Sequence, residues 1–140
     1  MRLTLGNRAE TSPDHGNSRL RGRRYAVPFQ AVWEAARDLA DGGMARWTLV
    51  DADDQKGVLR AESRTRLFRF VDDVEIRIAL DHEGQTRVDL ASASRIGAWD
   101  LGTNARRIHQ FTARLDLALQ EEGHCTLPPA ALRPADGAPS

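Results

Sequence analysis

The chain has 140 residues, 41% apolar, 29% charged and 6% aromatic, which suits one globular domain and excludes both a fully disordered chain and a membrane-embedded one. Twenty acidic and twenty basic residues cancel, so no overall field draws the molecule onto nucleic acid or an anionic membrane. The single cysteine, Cys125, excludes an intramolecular disulfide and any zinc site built on two or more thiolates, and it suits a reducing, cytoplasmic setting.

Residues 1–24 hold six arginines, packed toward RLRGRR, against Glu10 and Asp14. Nothing in them has the apolar core of a secretory signal, and the segment reads as a flexible basic arm. Nucleic acid is not an expected partner; the Arg19–Arg24 stretch is the one place where contact with an acidic partner suggests itself, the alternative being a solvated leader. Residues 25–123 read as one α+β domain. Pro28 suits a first helical turn, and Phe29, Val32, Trp33, Ala36, Leu39 and Ala40 follow on one face, predicting a helix over 28–41 that Asp41-Gly42-Gly43 stops. Arg46 to Val50 has the content of a strand.

From Val58 the period becomes two. Leu59, Ala61, Ser63, Thr65 and Leu67 face one way, and Arg60, Glu62, Arg64 and Arg66 the other. Val74, Ile76, Ile78 and Leu80 repeat the pattern against Glu75 and Arg77, and Asp81-His82-Glu83-Gly84 turns the chain into Val88, Leu90, Ser92 and Ser94. Leu101, Ala105, Ile108, Phe111 or Thr112, Leu115 and Leu119 then trace a helical stripe to Gly123, with Asp100 or Thr103 as its N-cap. The expected fold is a two-layer sandwich: a four-stranded antiparallel meander, five-stranded if Arg23 to Val27 pairs, packed against an N-terminal and a C-terminal helix. Residues 124–140, rich in proline and alanine, read as a disordered tail.

Two segments carry more polar detail than a sheet edge needs. They are FVDDVEIR, Phe70 to Arg77, and SASRIGAWDLGTNARR, Ser92 to Arg107. The second, in which Ser-x-Ser-Arg-x-Gly-x-x-Asp-x-Gly-x-Asn-x-x-Arg runs in order, together with AESRTRLF at Ala61 to Phe68, resembles the signature of the domain of unknown function 1499, a bacterial and plastid family. The resemblance covers about Ala26 to Leu119. It implies no biochemical activity. A cysteine-containing segment found before the first helix in some members is replaced here by TSPDHGNSR, Thr11 to Arg19.

The residues themselves allow two readings. Asp72, Asp73, Glu75 and Asp100 are acids, and Arg64, Arg66, Arg77, Arg95 and Arg106 are bases on neighbouring strands or at the entry to the last helix. Cross-strand pairing, such as Arg64 or Arg66 with Glu75, makes them a charge ladder. With Gly97 and Gly102 permitting tight backbone, Asp100 capping the helix and Arg95 tying an aspartate to the turn, the cluster becomes a folding clasp. The functional reading is a polar pocket beneath the last helix. Ser63, Thr65, Ser92 and Ser94 supply hydroxyls, Asn104 an amide, and Arg95 holds the anionic head of an otherwise apolar small molecule.

No catalytic residue, metal site or cofactor is expected. Arginines compete for the carboxylates, acids beside arginine make poor general acids, and none of His15, His82, His109 and His124 is placed to activate a serine. No glycine-rich phosphate loop follows any strand. The sequence therefore points to a non-catalytic binding module for an apolar-anionic ligand. A protein-interaction module docking through Phe68 and Phe70 is the alternative, and a carboxylate- or metal-dependent hydrolase, with Asp72, Asp73 and Asp100 converging, is the second.

Overall fold

The structure, a computed structural model, describes residues 8–12, 16, 20–65, 70–95 and 102–124. In chain order the elements are β1 (Arg8–Glu10), β2 (Arg23–Tyr25), α1 (Phe29–Asp38), β3 (Trp47–Asp53), β4 (Val58–Arg64), β5 (Val71–Leu80), β6 (Thr86–Ser94) and α2 (Thr103–Glu121). All strand pairings are antiparallel, in the order β1-β6-β5-β4-β3, with β2 also on β6.

The alternation read from Val58 onward sets the sheet. Leu59 and Ala61 on β4, Val74, Ile76 and Ile78 on β5, and Val88 and Leu90 on β6 are all buried and lie in matching rows. Against them α1 lays Val32, Trp33 and Ala36, and α2 lays Ile108, Phe111, Leu115 and Leu119. Each large side chain buried this way contributes about 1.5–3 kcal/mol. Trp47 at the start of β3 stacks on Phe111 with ring centres 5.3 Å apart, fixing α2 over the sheet. Leu80 departs from the expected inward set: it is 59% exposed, because β5 has by then reached the hairpin turn and the covered run of the strand ends at Ile78.

The predicted first helix ends earlier, at Asp38. A wide turn over Leu39–Gly43 follows, in which Met44 N donates to Leu39 O at 2.9 Å, and Gly42 takes a φ of 100° that a side chain resists. Past it, Arg46 has a φ of 66°, the one positive φ at a non-glycine position among the described residues.

The sheet has six strands rather than four or five. The extra one comes from the segment read as a flexible arm. β1 pairs with Ala91 to Ala93 and β2 with Thr86 to Val88, end to end along the same edge of β6. Thr11 fastens the first of them: its N–H donates to Leu90 O, its hydroxyl donates to Asp89 Oδ1 at 2.8 Å, and the same hydroxyl accepts from Leu90 N at 3.0 Å. Leu20 and Tyr25 enter the core, and the Tyr25 hydroxyl donates to Asp116 of α2 at 2.6 Å. The cause is visible only in three dimensions: β6 has one edge left after pairing β5, and backbone N–H and C=O groups there need partners. The proline-rich tail lies outside the described residues.

Candidate functional site

The covered face of the sheet turns polar at one end. Along β5 the inward parity that delivers Ile76 and Val74 delivers Asp72 next, flanked across the ladders by Ser63 of β4 and Ser94 of β6. Asp72 is buried, its side chain 3% exposed, and meets the Arg107 guanidinium, 8% exposed, at 2.8 Å. The same Arg107 Nη1 donates to Asn104 Oδ1 at 2.7 Å and to Ser92 Oγ at 3.1 Å. Ser92 Oγ donates to Asn104 Oδ1 at 2.6 Å, and Asn104 Nδ2 donates to Ser94 Oγ at 3.0 Å. Asn104 and Arg107 share one face of α2 because they are one turn apart. A buried ion pair survives only when its remaining lone pairs and protons are met, and here Asn104 and Ser92 accept from Arg107 while Ser94 holds Asn104.

Arg107 is missing from the candidates drawn from the sequence, which took its neighbour Arg106. The spacing held the correct signal, since the Asn-x-x-Arg step of the quoted motif counts from Asn104 to Arg107, the helical repeat that returns to the same face.

Asp73, Glu75, Arg77 and Arg95 lie on the opposite face of the sheet. Arg95 pairs with Asp73 at 2.7 Å and with Glu62 at 2.8 Å, and these hydrogen bonds, that of Asp73 foremost, hold its guanidinium above its ordinary pKa. Arg77 pairs with Glu75 at 2.9 Å and Glu10 at 3.5 Å. Arg66 lies outside the described residues. Register explains why Arg64 does not serve Glu75: Glu75 stands opposite Arg60, while Arg64 stands opposite Val71. Asp72 is thus separated from Asp73 and Glu75 by one pleat, and these three acids do not converge; among the described residues no three His, Cys, Asp or Glu side chains could hold a metal. Gly102, with a φ of 82°, occupies the N-cap of α2, where Thr103 was one expected cap; the other, Asp100, lies outside the described residues. Phe70 is 44% exposed. Asp100 and Phe68 lie outside the described residues.

Beside the buried network opens a cleft of about 700 Å³, between the N-terminal half of α2 and the ends of β3 and β4. That is the size of a small-molecule site, typically ~300–1,000 Å³. Five arginines line it, Arg46, Arg64, Arg106, Arg107 and Arg114, and no acidic side chain among the described residues does. Met44, Trp47 and Ala113 add apolar wall, and Ser63, Thr65 and Thr103 add hydroxyls. Arg107 is neutralised by Asp72 from behind, Arg106 Nη2 donates to Thr103 Oγ1 at 3.2 Å, and Arg114 Nη2 donates to Gly43 O at 3.3 Å. Arg46 and Arg64 form no ion pair with any described residue. Arg95, the expected holder of an anionic head, is not in this cleft.

A family model described as "Protein of unknown function (DUF1499)" matches residues 7–115, from β1 into the last turns of α2. Among curated proteins none matches the chain. Of the solved structures, the crystal structure of TTHA0849 from Thermus thermophilus is similar over 81% of this chain and 94% of that one, at 12% sequence identity and a TM-score of 0.39.

Proposed function

The chain belongs to the DUF1499 family, whose function is unknown, and on that footing we propose that it is a non-catalytic binding module whose basic cleft takes a small ligand with an anionic head and an apolar body. The carrying observation is the set of five arginines around the cleft, of which Arg107 is paired with Asp72 behind it, with no acidic side chain among the described residues that line it. Like charges gathered this closely repel, and an anion relieves that repulsion while accepting their hydrogen bonds. Arg46 adds to the argument. Its left-handed backbone, φ 66°, costs about 1–2 kcal/mol for a side-chain-bearing residue, and glycine would adopt it freely. An arginine kept in such a conformation is accounted for by what its side chain meets rather than by the turn.

No helix among the described residues is long and apolar enough to cross a membrane. The same reading places the protein in the cytoplasm, where a chain with one cysteine is at no disadvantage. The test is native mass spectrometry of protein purified from its own host, set against the denatured mass. A small molecule that copurifies with the natural chain and is lost from Arg46→Gly, a variant expected to keep or raise the melting temperature, supports the reading. An unliganded mass throughout, or a protein partner held equally by Arg46→Gly, overturns it in favour of an interaction module.

A further inference from the structure

The cleft's charges are unevenly spread. Arg46 and Arg64 are backbone neighbours, Arg64 N donating to Arg46 O at 3.0 Å. Ser63 adjoins Arg64 and stands opposite Asp72, the partner of Arg107, so this wall lies toward the first turns of α2. There Thr103 and Arg106 meet it. At the far end Arg114, two turns and on the order of 12 Å further along α2, turns its guanidinium to the Gly43 carbonyl.

We propose that the end of the cleft formed by Arg46, Arg64 and Arg106 holds a phosphate monoester dianion, the rest of the ligand running toward Met44 and Ala113. The proposal rests on the cleft reading above and adds the chemistry of the head. One bidentate guanidinium already satisfies a carboxylate. Three guanidiniums with the hydroxyls of Ser63, Thr65 and Thr103 offer more donors than a carboxylate can accept, and they suit three terminal oxygens carrying close to two negative charges. Two of the three arginines, Arg46 and Arg64, have no carboxylate partner among the described residues. Among the described residues, the charged groups facing the head are arginines from the β3–β4 side and from α2, with Asp72 behind Arg107. Arginine stays protonated at any working pH, so the pH dependence of binding belongs to the ligand.

The full chain is titrated by calorimetry with octyl phosphate, octanoate and inorganic phosphate. Octyl phosphate is expected to bind about tenfold more tightly than octanoate. That preference is expected to shrink between about pH 7.5 and about pH 5.5, across the second phosphate pKa of roughly 6, and to vanish in Arg64→Ala. Equal affinity for octyl phosphate and octanoate leaves the cleft reading standing and overturns the phosphate head. Inorganic phosphate binding as well as octyl phosphate supports the head and identifies free phosphate as its source, removing the apolar body. Binding of none of the three overturns both the head and the cleft reading.

Discussion

Asp72 and Arg107 form the most enclosed ion pair among the described residues. Removing one member strands the other charge in a buried site, and Asp72→Ala is expected to lower unfolding stability by about 3–5 kcal/mol in urea denaturation. The double variant Asp72→Leu/Arg107→Met, which removes both charges and refills the space, is expected to recover most of the loss. Recovery of nothing would mean that Asn104, Ser92 and Ser94 are held by something other than the pair. Arg95→Ala, on the solvated face, is expected to leave the denaturation midpoint in place even though Arg95 makes two ion pairs. Of these residues the sequence marks Asp72 by parity, since it sits two before Val74, but the alternation that identifies a buried position says nothing of what a charge there pairs with. Arg107 is a basic residue in an apolar helical stripe, so the hydrophobic pattern passes over it and only its Asn-x-x-Arg spacing from Asn104 marks it.

At the level of elements, the two helices and the β4–β6 meander follow from their periods, because four or more residues of strict alternation or a full helical stripe leave few alternatives. β1 and β2 do not, for RAE and RRY are three residues each and exist because β6 offers an edge. β2 is tied to α2 through Asp116, which accepts from the Tyr25 hydroxyl at 2.6 Å and from Arg23 Nε at 3.1 Å. Burial above all, and then the Asp116 charge, push the Tyr25 pKa far above its ordinary value near 10. Because the folded pKa is the higher one, this tie contributes in full below pH ~10. Above that, the unfolded chain can shed the proton while the folded chain cannot, and stability falls by about 1.4 kcal/mol per pH unit. Tyr25 is the only tyrosine. Tyrosinate absorbance is therefore expected to rise together with loss of far-ultraviolet dichroism in an alkaline titration; absorbance rising first, with the fold intact, would refute the tie.

For the molecule as a whole, three of the arginines described in the N-terminal segment are taken up in ion pairs. Arg8 pairs with Glu10, Arg23 with Asp116, and Arg24 with Asp81 and Glu83. Composition could not show this, because a run of arginines looks the same whether solvated or answered by acids from distant strands. The cleft escapes a linear reading for the same reason: Arg46, Arg64 and Arg106 come from three segments. Deleting residues 1–12 is expected to strip β1 and the Thr11 contacts from β6, lowering the urea midpoint and exposing a strand edge to other copies. Size-exclusion chromatography over a concentration series reads the second effect, and a monomer of unchanged stability would show that β1 is dispensable.

That pairing also bears on how the chain is made. Thr11 meets Asp89 and Leu90 across 78 and 79 residues of sequence. During synthesis the first strands leave the ribosome long before their partner exists, and they wait unpaired until β6 has emerged. The sheet is therefore closed by a long-range event rather than built outward from its beginning, a kind of contact whose loop-closure entropy slows folding.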